Sequence, residues 1–371
     1  MREAPQSELL GLDLQQLTAL AAEYGQPAYR GRQLWEALYR QRVERVEQIT
    51  TLGKDFRAEL QARYQVGVPE VQREFVSADG TVRYLMRFAD GQSVETVWMP
   101  QGDDGEQGDG SEAGEQSQLW RRATICVSSQ AGCAVDCRFC MTALLGLQRN
   151  LTAGEIVGQI LRVLSRQQVA PDAERINLVF MGQGEPFLNY ENFMIAVRLL
   201  VEAVQIPESR MTVSTAGIVP RIYDFGAEAV RPKLAISLNA SNEAQRRELM
   251  PITRKWRLEE LMAAAREFPL RARERLTFEY VLLAGVNDAP EQAREVAELL
   301  RGMRAKVNLI ALNPGLEIPF ATPEEARVLG FQRALAEAGM AAFIRRPRGR
   351  DVYAACGQLK SVASSQSPVA S

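Results

Sequence analysis

The chain has 371 residues, 46% of them hydrophobic, with 44 basic against 46 acidic side chains, five cysteines and no histidine. That is enough apolar material for one large core with a smaller attachment, and no stretch approaches the roughly 18 apolar residues of a membrane span. The N-terminus carries no basic region followed by an apolar signal core, so a soluble cytoplasmic protein with reduced thiols is expected, and any metal must be held by sulfur or oxygen.

In chain order, "LTALAAEYG", "RGRQLWEALYRQRV" and "GKDFRAELQARY" place apolar residues at three and four spacings, with breaks at Gly25, Pro27 and Gly53. A helical domain over 1–62 follows. Residues 63–100 turn to short alternating runs punctuated by Asp-Gly at 79–80 and 90–91, the signature of β-hairpins. Residues 101–119 hold six acids and no base, and read as a loop without fixed structure; without it the net charge is +4 rather than −2.

From residue 120, strand-like runs alternate with amphipathic helices: "ATICVS", "INLVFM", "MTVST", "KLAISL", "LTFEYVLL" and "VNLIAL", with a seventh at "AAFIRR". A Thr152-x-x-Glu155 capping box opens a helix whose Ile156, Ile160, Val163 and Leu164 share one face. The alternation predicts an α/β fold of parallel strands and right-handed helical crossovers, a partial (β/α)6 barrel, spanning 120–357 with a C-terminal loop. Functional groups then belong at the carboxyl ends of the strands. Residues 358–371 read as an unstructured tail.

The fragment "CVSSQAGCAVDCRFCMT" at 126–142 directly follows the first of these strands. Cys133-x3-Cys137-x2-Cys140 suits three thiolates on one face of a 4Fe-4S cluster, leaving one iron open to the amine and carboxylate of a small molecule. That is the arrangement of the radical SAM superfamily, which the spacing resembles. A structural zinc site with Cys126 as fourth ligand is the alternative, but zinc sites of this kind use two close cysteine pairs, and "VSSQAG" separates Cys126 from the rest.

Further blocks extend the likeness: "MGQGEPFLNY", "STAGIVP", "LAISLNA", "MPITRK", "TFEYVLLAGVND" and "RGRDVYAACGQL", together with "QPAYRGRQLWEALYRQRV" and "SVETVWMP". In order, they resemble the dual-specificity radical SAM adenine carbon-2 RNA methyltransferases. The resemblance implies a 4Fe-4S cluster, S-adenosylmethionine, a flavodoxin or ferredoxin-type electron donor, a monomer, and as substrates adenine 2503 of 23S rRNA and adenine 37 of tRNAs. A sister family that methylates carbon 8 shares the cysteines. A zinc-stabilised RNA-binding protein without catalysis is the reading from a different class.

The same resemblance implies residue roles. Cys133, Cys137 and Cys140 hold the cluster. Cys356 accepts a methyl group from one S-adenosylmethionine, and a radical cut from a second takes hydrogen from that methyl. The resulting carbon adds to the base, because carbon 2 of adenine is too electron-poor for ordinary methyl transfer. Cys126 then takes the proton at the substituted carbon and closes a disulfide with Cys356. Read alone, a lone cysteine near a C-terminus is an inert packed thiol. Glu95 matches a proton acceptor, though in an alternating strand a glutamate ordinarily faces solvent. Gly184, Glu185, Ser214, Ser237, Leu238, Asn239 and Asn313 match the cofactor positions; by themselves such Ser and Asn residues are turn or cap residues. Asn239 stands where the family usually has histidine, keeping a donor and an acceptor but no titratable proton. RNA contacts are expected from the helical domain, with Arg30, Arg32, Arg40, Arg42 and Arg45, and from "RRPRGR" at 345–350.

Overall fold

A computed structural model of the chain describes residues 6–100, 122–169, 175–313, 315 and 317–360; the acidic stretch 101–119 and the tail beyond 360 lie outside them. The helical domain comprises α1 (Leu14–Glu23), α2 (Tyr29–Tyr39) and α3 (Lys54–Arg63), tied at its ends by a short parallel pair, β1 (Ser7–Glu8) with β2 (Tyr64–Gln65). Two-residue strands carry no readable period, so the sequence does not announce them. Asp13 caps α1 in a reciprocal pair with Gln16, and Leu17, Leu20, Leu34, Leu38, Phe56 and Leu60 close the interior.

The strands β3 (Glu70–Val76), β4 (Val82–Arg87) and β5 (Ser93–Pro100) are the expected hairpins, turning on Gly80 and Gly91 at φ of +81° and +88°. They form no separate attachment. β5 runs antiparallel to β6 (Arg122–Cys126), with Val97 opposite Cys126, so the hairpins extend the main sheet. A small hairpin of β7 (Gln130–Gly132) and β8 (Leu147–Asn150) brackets the cysteine loop.

Beyond it the chain alternates as expected: α4 (Ala153–Arg166), β9 (Arg175–Phe180), α5 (Tyr190–Glu202), β10 (Met211–Thr215), α6 (Val219–Ala227), β11 (Lys233–Ser237), α7 (Glu243–Leu249), α8 (Leu258–Glu267), β12 (Leu276–Leu282), α9 (Pro290–Leu299), β13 (Ala305–Ala311), α10 (Glu325–Glu337) and β14 (Ala342–Arg345). The sheet order is β14-β13-β12-β11-β10-β9-β6-β5-β4-β3, parallel from β6 to β14 and antiparallel from β5 to β3. It is a partial barrel whose last strand is the seventh run, left unclosed by β14.

The helical domain docks on the start of α4. Gly154 lies so close to it that a Cβ there would sit 2.1 Å from the Leu10 carbonyl oxygen, an approach only glycine permits. Arg42, expected at an RNA surface, instead donates to the Val169 carbonyl at 2.7 Å. Residues 358–360, expected in the tail, belong to the folded body: Leu359 is buried, and Thr142 Oγ1 donates to its carbonyl at 2.7 Å. Among the described residues no helix is long and apolar enough to cross a membrane.

Candidate active site

A cavity of about 160 Å3 opens at the carboxyl ends of β9 to β13. Cys133, Cys137 and Cys140 line the cavity on the loop that leaves β7, and Cys356 with Gly357 joins the lining from the C-terminal segment, which meets that loop where Met141 N–H donates to the Gly357 carbonyl at 2.8 Å. The cysteine loop is set by backbone bonds and an apolar shell. Cys140 N–H donates to the Cys137 carbonyl at 3.0 Å, Arg138 N–H to Leu249 at 3.0 Å, and Val135 N–H to Cys133 Sγ at 3.4 Å. Val135, Phe139, Leu249, Met250 and Leu312 pack around it. Burial pushes the Cys133 thiol up to about 12, and raises Cys137 well above the ordinary thiol range, with the neighbouring cysteines adding to both.

Beneath Cys137 sits the buried Arg246, whose guanidinium donates to the carbonyls of Ala216 (2.6 Å), Ser237 (3.0 Å) and Leu238 (3.2 Å) and to Thr253 Oγ1 (2.7 Å). Burial lowers it to about 10, and the charge of Cys137 opposes that fall. Among the described residues the thiols and carboxylates are not drawn into a metal-binding constellation as they stand. Three soft thiol donors lining one cavity, an apolar shell and a buried cation are nonetheless the donor chemistry an anionic thiolate-held cluster requires, with the cluster irons replacing the thiol protons.

The turn after β9 adds to the lining. Gly184 adopts φ of +96°, and a Cβ on it would lie 2.5 Å from the Gln130 Cβ, so the turn requires glycine. It delivers Glu185, whose carboxylate accepts the N–H groups of Ala216 (2.6 Å) and Phe187 (3.0 Å). Burial raises Glu185 to about 7 although these bonds pull it down. Also in the lining, Ser214 Oγ donates to Glu279 Oε2 at 2.8 Å and lies 3.3 Å from Ser237 Oγ. Glu279, in β12, escaped the sequence reading; it sits in an apolar strand pattern with no motif of its own.

Asn239 lines the cavity in a left-handed conformation, φ +58°, which its short amide tolerates. Its side chain accepts Val281 N–H at 2.8 Å and donates to Met250 Sδ at 3.2 Å, so it holds the loop after β11. Asn313 lines the cavity and is 4% exposed, and its Oδ1 has no hydrogen-bond partner among the described residues. Leu238 is not brought to the cavity. Its side chain belongs to the core, its N–H donates to the Glu279 carbonyl, and its carbonyl is taken by Arg246.

Cys126 and Glu95 also stand outside the lining. Cys126, at the end of β6, packs with Val97, Ala354 and Leu359. Burial raises its thiol far above the usual range, and the charge of nearby Cys356 raises it further. Glu95 is fully buried rather than solvent-facing, because both faces of β5 are covered; it ion-pairs with Arg83 and accepts Lys360 N–H at 2.8 Å. All five cysteines stand as thiols. Of the expected RNA-contact arginines, Arg30 donates to the Thr51 carbonyl at 2.6 Å and Arg40 stacks on Trp35, while Arg32 and Arg45 are exposed.

The radical SAM superfamily model matches residues 127–300, and a ribosomal RNA large subunit methyltransferase N-terminal domain model matches residues 7–66. A protein of Koribacter versatilis, named a probable dual-specificity RNA methyltransferase RlmN, is 69% identical over 337 residues, covering 91% of this chain and 96% of its own. The chain belongs to the RlmN family. A dual-specificity RNA methyltransferase RlmN of Solidesulfovibrio magneticus is 40% identical over 96% of this chain and 97% of its own. The crystal structure of a radical SAM methyltransferase from Sphaerobacter thermophilus superposes with a TM-score of 0.87 at 41% identity, covering 96% of this chain and all of that one. Membership of the RlmN family sets aside the non-catalytic zinc protein as an account of the cysteines. The family implies a 4Fe-4S cluster and S-adenosylmethionine.

Proposed function

We propose that this enzyme methylates carbon 2 of adenine in RNA, at position 2503 of 23S rRNA and position 37 of tRNAs, with Cys356 as methyl carrier. The observation that carries the reading is that Cys356 shares one cavity with Cys133, Cys137 and Cys140, while Cys126 packs directly behind the carrier segment. Three cysteines serve a cofactor and two serve the substrate.

Cys133, Cys137 and Cys140 would hold the 4Fe-4S cluster, with Glu185 accepting a hydrogen bond from the amine of S-adenosylmethionine and Ser214, Ser237 and Asn313 bonding its remaining polar groups. When bound, cluster and cofactor supply the methyl group and, after one-electron reduction by a flavodoxin or ferredoxin-type donor, a hydrogen-abstracting radical. Cys356 holds the methyl as a thioether while its carbon joins the adenine. Cys126 takes the proton from the substituted carbon. The bond between the Cys356 sulfur and the transferred carbon breaks, and that carbon takes up a proton to complete the methyl group. The sulfurs of Cys126 and Cys356 join as a disulfide, and the one surplus electron would return to the oxidised cluster. A thiolate at Cys126, once formed, is a strong base because burial withholds solvation from it. Glu95 backs this wall by fixing the chain at Lys360 and forms the route for the proton onward. The active species is a monomer working in the cytoplasm, and the exposed Arg32 and Arg45 with the basic run 345–350 orient the RNA.

The test is anaerobic turnover of the reconstituted enzyme on 23S rRNA and tRNA, followed by mass and retention analysis of the nucleosides. 2-Methyladenosine is expected from both. Product methylated at carbon 8 alone would transfer the assignment to the sister family.

A further inference from the structure

Below the cofactor cavity the partial barrel holds a second chamber that methyl transfer leaves unused. It opens between the amino-terminal halves of the parallel strands, has a volume of about 570 Å3, and shares Met181 with the cavity above. Interiors of parallel barrels are ordinarily filled by branched apolar side chains. Here the strands present Thr124, Asn177, Thr212, Thr277 and Asn308 to the chamber.

Two features call for a ligand, and they differ in chemistry. The rim carries Arg210, Lys233, Arg273 and Arg275, none of them in an ion pair among the described residues, while the one rim carboxylate, Glu274, is taken up by Arg231 at 2.8 Å. Uncompensated cations around a low-dielectric mouth attract an anion. On the wall, Asn177 and Thr212 are half-buried, so amide and hydroxyl groups line the chamber. Such groups pair with a ligand that brings O–H or N–H groups of its own. An inorganic anion meets the first requirement alone. A nucleoside phosphate meets both, with phosphate at the rim and ribose hydroxyls or an exocyclic amine at the wall, and the volume suits one such unit.

We propose that this chamber is a second, non-catalytic nucleotide site, filled by a nucleoside phosphate that is either free or an unpaired nucleotide of an RNA chain. The proposal does not depend on which adenine carbon the enzyme methylates.

Binding to the reconstituted enzyme, saturated with S-adenosylmethionine to occupy the upper cavity, is measured by calorimetry with AMP, inorganic phosphate and an unpaired RNA pentamer as probes. AMP or the pentamer is expected to bind, to weaken with added salt, and to lose about tenfold or more in affinity in the Arg273→Gly/Arg275→Ala variant. Both side chains are exposed, and Arg273 has φ of +63°, so glycine there relieves the backbone and the variant folds. Asn177→Leu is expected to weaken AMP and to leave inorganic phosphate unchanged. Binding of AMP assigns the site to free nucleotide, and binding of the pentamer alone assigns it to RNA. Failure of both probes, binding that the arginine variant leaves intact, or phosphate binding as tightly as AMP overturns the proposal.

Discussion

The loop bearing Cys133, Cys137 and Cys140 is embedded in apolar side chains, whereas the segment bearing Cys356 adds to small apolar contacts at Ala354 and Leu359 a run of polar bonds to distant parts of the chain. Asp351 accepts from Ser77 Oγ (2.5 Å) and Ala78 N–H (3.1 Å), and Gly349 N–H donates to Asp79 Oδ2 (3.0 Å). Gly357 accepts Met141 N–H at 2.8 Å, and Lys360 N–H ends the run on Glu95. Packing that excludes water holds a cofactor site rigid, while bonds exchangeable with water let a segment move without disturbing the core. Under the proposed function the two regions would divide the work: one would keep its shape during turnover, and the other would bring its sulfur first to a cofactor and then to a base.

The largest break in that division comes from the thiols themselves. Cys137→Ala is expected to lose the bound iron, whereas Cys356→Ala keeps its iron and brown colour but forms methylated RNA at less than roughly one thousandth of the wild-type rate. Iron assay and nucleoside analysis on the same preparations separate the two, and wild-type product from Cys356→Ala would remove the carrier. Next is the cation under the rigid loop. Arg246→Leu strands three buried carbonyls that join the ends of β10 and β11, and should lower the unfolding free energy by about 3 kcal/mol, read from the urea midpoint.

The two regions also differ in how they answer to pH. Glu185 titrates near 7 in the folded state against 4.5 as the ordinary value. Its stability contribution is thus full below about 4.5 and lost as pH rises through 7, while its capacity to accept a hydrogen bond from the cofactor's amine grows over the same rise. Affinity for S-adenosylmethionine should increase about tenfold from pH 6 to pH 8, as the ionised fraction does, and become flat in Glu185→Gln. In the polar clamp, Asp79 is pushed up by burial, but the N–H groups of Gly349 and Thr81 hold it down to about 2. Its contribution is present above the ordinary value of 3.8 and lost only as pH falls through 2, so the clamp is unchanged from pH 6 to pH 8. The smallest effect should come from Asp351→Ala, which frees one end of the segment. Amide exchange over 349–360 should quicken about fivefold while the urea midpoint scarcely moves.

Much of this was legible because periodicity and spacing are local. Seven apolar runs gave the parallel strands, Thr152 and Glu155 gave the start of α4, and Cys133-x3-Cys137-x2-Cys140 marked three residues that line one cavity. What stayed hidden depends on pairing across long separations. Glu95 looks exposed in an alternating strand until β4 and β6 flank β5 and the C-terminal segment covers it. Leu238 looks like a cofactor residue between Ser237 and Asn239, yet the alternation of β11 sends its side chain into the core. Arg246 and Glu279 lie in an unremarked helix and an apolar strand, and only the closed sheet shows what they face.

The turn at 77–79 and the segment from 349 onward are some 270 positions apart, yet they grip one another directly. Any chimera that grafts a relative's carrier segment onto this chain must therefore import the matching hairpin with it. A fragment trimmed to residues 127–300, the part the superfamily model spans, would keep Cys133, Cys137 and Cys140 and discard both halves of the latch that holds the Cys356 segment in place.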